Sequence, residues 1–91
     1  MTAYVYILRC NDGRYYYGST NDLSRRLKSH RTGQVRSTNG RRPLELVYFE
    51  ELETPEQARQ REHSFKRGRT RRKKIDHLIA SFPAERLAPF A

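Results

Sequence analysis

Three tyrosines and a glycine, Tyr15-Tyr16-Tyr17-Gly18, run directly into Ser19-Thr20-Asn21-Asp22-Leu23-Ser24-Arg25-Arg26. The stretch reads as the end of a strand, a turn and the capped start of a helix, which sets phenols beside arginines. His30 follows Arg26 by one helical turn, and Tyr6 lies in the segment before the tyrosine run. Farther on, one acid, Glu62, stands among nine Lys or Arg residues between Arg59 and Lys74. Tyr6, Tyr16, Arg26, His30 and Glu62 are the candidate catalytic set. Hydrolysis of a phosphodiester needs a base for water, neutralisation of the charge that builds on the phosphoryl group, and protonation or metal stabilisation of the leaving oxygen. A phenol is a weak base at its ordinary pKa of about 10. It must be shifted by a metal or by cationic neighbours, and a formal charge of +9 pushes in that direction. A single inward carboxylate without an Asp/Glu cluster argues for one divalent ion and not two. No Ser/His/Asp elbow, glycine-rich phosphate loop or zinc-spaced Cys/His pair offers a rival chemistry.

The elements that must position these residues follow from periodicity. Residues 3–10 are β-branched and aromatic and read as a strand, with Ala3, Val5 and Ile7 on one face and Tyr4, Tyr6 and Leu8 on the other. Asn11-Asp12-Gly13 is a hairpin signal, and residues 14–19 return as the second strand. If all three residues form the loop, Tyr6 lies opposite Gly18 and Leu8 opposite Tyr16. Tyr6 and Tyr16 are then diagonal neighbours on one face, with open space above the Tyr6 phenol. A two-residue turn at Asp12-Gly13 would put the two tyrosines on opposite faces.

Asn21 or Asp22 caps a helix that runs to about Thr32 and stops near Gly33. Leu23 and Leu27 form its apolar stripe, and Arg26 and His30 lie on the adjoining edge while Arg25 falls on the solvent side. Residues 33–43 are polar and basic without periodicity and read as a mobile surface loop that offers Arg36, Arg41 and Arg42 to phosphates. Leu44 to Leu52 completes a three-stranded sheet. Thr54-Pro55-Glu56-Gln57 opens the next helix with a capping box and an N1 proline. That helix ends near Gly68 and turns Ala58, Glu62 and Phe65 inward. An inward Glu62 is either paired with an arginine such as Arg26 or free to hold a divalent cation. A last helix from Thr70 has Ile75, Leu78, Ile79 and Phe82 at core spacing and carries Arg71-Arg72-Lys73-Lys74 on its exposed side.

At 91 residues the chain reads as one α+β domain over 1–83, with a tail over 84–91 that packs through Leu87 and Phe90. A hydrophobic fraction of 35% with no Trp leaves a thin core. A pI near 10.3 draws the protein to polyanions. The expected partner is nucleic acid, DNA first, with no membrane and no small-molecule cofactor; a protein partner is unreadable. Arg36, Arg41, Arg42, Lys66, Arg67, Arg69, Arg71, Arg72, Lys73 and Lys74 are the candidate nucleic-acid contacts. The single cysteine, Cys10, excludes an internal disulfide and an all-Cys metal site. No signal segment or apolar run of membrane length is visible, so the cytoplasm is the expected compartment.

These residues resemble the GIY-YIG nucleases, and specifically the small single-domain UvrC-like proteins of the UPF0213 type, over about residues 3–80. Tyr4-Val5-Tyr6 sits where the family's first tripeptide falls and Tyr16-Tyr17-Gly18 where the second falls. Arg26 follows the second motif's tyrosine by ten positions, as on the family's arginine-bearing helix, and Gln60-Arg61-Glu62 matches the helix that supplies a metal-binding glutamate. The resemblance implies a three-stranded antiparallel sheet flanked by about three helices and an endonuclease dependent on one Mg2+ or Mn2+. It implies Tyr6 as general base, Tyr16 as a phenol that positions water or phosphate, and Arg26 as stabiliser of phosphoryl charge. Glu62 would be the metal ligand, with His30 assisting. Tyr4 departs from the first motif's glycine and Tyr17 from the second motif's aliphatic residue. No asparagine follows Asn39, and Lys66 or Lys74 stands in for the one found late in many members. The alternative is a nucleic-acid-binding module of the same fold with little or no cleavage.

Overall fold

The computed structural model describes residues 2–68 and 71–90. Strands β1 (Ala3–Arg9), β2 (Tyr15–Thr20) and β3 (Glu45–Leu52) form one antiparallel sheet in the order β2-β1-β3. Helix α1 (Leu23–Arg31) follows β2, and a short α2 (Arg36–Asn39) precedes β3. Helices α3 (Pro55–Phe65), α4 (Arg71–Ala80) and the single turn α5 (Ala84–Leu87) complete the order.

The hairpin takes all three loop residues. Gly13 supplies the left-handed φ of +81° and the Cys10 N–H donates to the Arg14 carbonyl at 2.8 Å. Tyr6 therefore pairs with Gly18 and Leu8 with Tyr16. Period-two alternation sorts β1 into two cores. Val5 and Ile7 pack with Val47, Tyr48, Phe65 and Ile75 under α3 and α4. Tyr6 and Leu8 pack with Leu23, Leu27, Leu46 and Phe49 under α1. A bulge in β3 pairs Ile7 with Tyr48 and Leu8 with Leu46, so Val47 and Tyr48 both serve the first core. Tyr15 and Tyr17 join that core, on the face away from Tyr16, as strand parity requires.

Caps set the helix starts. The Asp22 carboxylate accepts from the Arg25 N–H at 3.1 Å to begin α1. At α3 the Thr54 hydroxyl accepts from the Gln57 N–H at 3.2 Å, and the Gln57 side chain accepts from the N–H of Glu53, one residue outside the usual box. Beyond α4, Phe82 wraps the sheet edge, with its ring 5.0 Å from Tyr48 on one face and 5.2 Å from Phe49 on the other. Residues 84–90 then return along the Tyr6 face, where Leu87 and Phe90 pack and the Arg31 guanidinium holds the Phe90 carbonyl.

Two local expectations change. Residues 33–43 are not a free loop: α2 forms, Val35 is buried and Thr38 has no exposed surface. Asn39 donates to the Gly33 carbonyl at 2.6 Å and Arg42 to the Asn39 carbonyl at 3.0 Å, so the backbone's polar groups are met from within. Nor is there open space above Tyr6. The missing Gly18 side chain is where the Tyr6 phenol itself lies, and a Cβ there would overlap Tyr6 Cζ and Oη. Gly18→Ala is accordingly expected to destabilise the fold by ~1–3 kcal/mol, the cost of overpacking a filled site. Urea unfolding beside the parent chain measures it.

Candidate active site

Three elements meet at the Tyr6 phenol. β1 delivers Tyr6 with no exposed surface, and α1 delivers Arg26 and His30 from successive turns of one edge. The Tyr6 hydroxyl lies 2.8 Å from His30 Nε2 and 3.4 Å from Arg26 Nε, which donates to it. Tyr16 completes the group, with its ring 6.4 Å from Tyr6 and 5.1 Å from His30, and it is half-buried beside them. A guanidinium has no lone pair to offer, so of the two partners of the buried phenol only His30 can accept its proton. The chain of donors thus runs from Arg26 to Tyr6 to His30. His30 Nδ1 lies 2.9 Å from the hydroxyl of Thr38, equally buried.

Burial sets the protonation of both groups. Desolvation pushes the Tyr6 pKa up to about 12, against the lowering effect of the Arg26 hydrogen bond. The basic surroundings therefore do not lower it, contrary to expectation, because a phenolate stripped of water costs more than one guanidinium returns. His30 is pushed down to about 4, first by burial and then by the Arg26 charge. Both side chains are neutral at pH 7.

Glu62 projects from α3 with its side chain about one-fifth exposed; Lys66 Nζ stands 3.0 Å from Oε2. Its partner is Lys66, not Arg26. Its charge adds a small upward push to the Tyr6 pKa, the last of the causes acting there, and among the described residues its one side-chain contact is with Lys66. Among the described residues no three His, Cys, Asp or Glu side chains converge as a metal cage. A lone carboxylate such as Glu62 nevertheless suits Mg2+ or Mn2+, hard ions that keep several waters and take phosphate oxygens with one or two carboxylates. The part-exposed Lys66 pair is weak enough to give way to such an ion.

The remaining predicted cations divide. Arg36, Arg67, Lys73 and Lys74 are exposed, and Arg67 and Lys74 line a groove between α3 and α4 with Gln60, His63 and Ser64, where no carboxylate intrudes. Arg41 is half-buried. Arg71 donates to the Lys66 carbonyl at 2.9 Å, and Arg72 stacks 4.1 Å over the Tyr15 ring and pairs with Asp76 at 3.3 Å. Arg42 is exposed but its guanidinium is engaged, lying against Gly33 and donating to main-chain carbonyls. Arg69 lies outside the described residues. Thr38 is the residue that sequence reasoning missed, because a threonine in a polar stretch without periodicity carries no signal of burial.

Strand order, paired phenols and the arginine-bearing helix together describe a small α+β domain with a phenol–guanidinium–imidazole cluster on one face of its sheet. The sequence matches the GIY-YIG catalytic domain over residues 2–76, and the chain belongs to that family. It is 47% identical over 72 residues to a UPF0213 protein of Bacillus pumilus, covering 78% of this chain and 72% of the relative. It is 46% identical over 79 residues to one of Clostridium perfringens, covering 86% and 83%. The solution structure of the UPF0213 protein BH0048 from Bacillus halodurans superposes with a TM-score of 0.56 at 38% identity, covering 86% of this chain and 85% of that one. No helix among the described residues is long and apolar enough to cross a membrane.

The depressed His30 pKa has a measurable consequence. Between about pH 4 and 6.5 the unfolded chain binds a proton on this residue and the folded chain does not, so stability rises with pH across that window. Acidifying from pH 7 to 4 is expected to remove about 3 kcal/mol through this residue alone. Denaturant melts across the window should show the slope, and His30→Gln should flatten it. An equal slope in the variant would assign it to the carboxylates.

Proposed function

We propose that the protein is an endonuclease that hydrolyses DNA phosphodiester bonds in the Tyr6–Arg26 cleft with one Mg2+ or Mn2+ held by Glu62. The observation that carries the reading is the buried chain from Arg26 through Tyr6 to His30, which orients a phenolic oxygen and gives its proton an exit. At neutral pH the phenol works protonated. The phenol is closed to water at rest. Once the half-buried Tyr16 ring moves aside to admit the attacking water, the phenol accepts that water's proton on one lone pair as its own passes 2.8 Å to His30 Nε2. The water oxygen bonds to phosphorus, the ester bond to the leaving oxygen breaks, and solvent protonates that oxygen. Arg26, always charged, holds the phenol oxygen in place and stabilises the negative charge that builds on the phosphoryl group. Tyr16, half-buried beside Tyr6, orients water or a phosphate oxygen. The divalent ion supplies Lewis-acid stabilisation of charge on the phosphate.

The exposed cations Arg36, Arg67, Lys73 and Lys74, with Arg41, are the proposed phosphate contacts. A second reading, a DNA-binding module that does not cut, is favoured by the Lys66 ammonium lodged on the Glu62 carboxylate.

Supercoiled plasmid with Mg2+ or Mn2+ separates the two. Nicking is expected from the parent chain, with Glu62→Ala and Arg26→Ala each lower by roughly 10²-fold or more. Equal nicking by parent and Glu62→Ala would mean a contaminant and end the endonuclease reading. Binding to duplex DNA should weaken linearly with log salt, and replacing Arg67 and Lys74 together by Ala should reduce that slope by roughly 1–2. A slope unmoved by the double variant would remove the α3–α4 groove from the interface.

A further inference from the structure

We infer that Thr38 is a positioning residue that selects the tautomer of His30, keeping Nε2 bare as the acceptor for the Tyr6 proton; its catalytic consequence rests on the endonuclease reading above. The argument starts at the other end of the chain. Tyr6, His30 and Thr38 are each without exposed surface, so every polar hydrogen among them must find a protein acceptor. The Tyr6 proton can go only to His30 Nε2, because Arg26 Nε is itself a donor. Nε2 must then be unprotonated and Nδ1 must carry the imidazole hydrogen. That hydrogen needs an acceptor in turn, and the Thr38 hydroxyl oxygen stands 2.9 Å away. The Thr38 hydrogen passes on to the Val35 carbonyl at 3.4 Å, which ends the chain on the main chain. All donors therefore point one way, from guanidinium to backbone.

Reversing any link breaks the set. With the hydrogen on Nε2, the imidazole and Arg26 would both donate to the phenol oxygen, and the buried phenol hydrogen would have no partner. A phenol so placed can receive a hydrogen bond but has no route for its own proton. Thr38 is held firmly enough to make the choice. Its N–H donates to the Val35 carbonyl at 3.1 Å, its carbonyl accepts from the Arg41 N–H at 2.9 Å, and neighbouring Asn39 is tied to Gly33 and Arg42. Ordering residues 33–43 thus does more than present basic side chains: it sets the proton state of a histidine eight residues upstream.

The test uses the full chain labelled with nitrogen-15 at histidine, with His63→Gln and His77→Gln to leave one imidazole in the spectrum. The parent is expected to show a protonated Nδ1 and a bare Nε2 at pH 7. Thr38→Val, which keeps the shape and deletes the acceptor, leaves a buried donor unmet in either tautomer, so a measurable share of the proton is expected to move to Nε2, while Thr38→Ser keeps the parent pattern. In the plasmid assay the valine variant should lose roughly 10–100-fold in kcat with little change in KM, and serine should restore most of it. A parent imidazole protonated at Nε2, or a valine variant with the parent pattern, overturns the inference. If the parent does not nick DNA, the endonuclease reading fails by itself. The nitrogen spectrum still decides Thr38, and a parent imidazole protonated at Nε2 overturns the inference even if valine unfolds the chain.

Discussion

The hydrogen bond between the Tyr6 hydroxyl and His30 Nε2 is made wholly out of water, and the site is built around the demands that this makes. A buried phenol and a buried imidazole each need partners for every polar atom, because an unmet one costs about 1–3 kcal/mol. Gly18 has to lack a side chain so that the ring can lie across β2. α1 has to begin at Asp22 so that Arg26 and His30 arrive one turn apart on the edge facing the sheet. The segment after α1 has to fold back and bring in Thr38. Among the described residues no buried side-chain polar atom is left without a partner, which is what a site of this kind requires.

The same dryness governs the chemistry. A phenol raised to about 12 beside an imidazole lowered to about 4 is a neutral pair, poised to pass a proton along a line and unsuited to storing charge. Charge is kept at the rim, on Arg26 and Glu62, where solvent or a ligand can balance it. The two faces of the sheet divide the labour accordingly. The face under α3 and α4 is apolar and holds the fold, through Phe65 between Tyr17 and Tyr48. The face under α1 carries both core and chemistry. α3 belongs to the first: Phe65 anchors it there, and Glu62, three residues earlier, pairs with Lys66.

The basic excess is less available than its size suggests. Lys66 is spent on Glu62, Arg72 on Asp76 and Tyr15, and Arg42 on main-chain carbonyls near α1. Of the candidate contacts, Arg36, Arg67, Lys73 and Lys74 stay exposed on α2, on α4 and along the α3–α4 groove. A polyanion bound there would not compete with the internal pairs.

Much of this was legible in the residues in order. Alternation in Tyr4 to Leu8 determined the two faces of β1, and Asn21-Asp22 and the Thr54–Gln57 pair marked the helix starts. The Asn11-Asp12-Gly13 turn left two registers, of which the three-residue loop, the one that puts Tyr6 and Tyr16 together, is formed. These are local matters, decided by backbone geometry within a few residues. Three things were decided only by the tertiary structure. The direction of the Tyr6 pKa shift depends on how completely the ring is desolvated, which α1, β2 and β3 settle jointly. The partner of Glu62 depends on which cation reaches it, and Lys66, one turn away, does so first. The burial of Thr38 depends on long-range enclosure of a stretch with no apolar pattern of its own. Periodicity records which face of an element is buried; it carries no record of a polar side chain buried because another buried polar atom needs it.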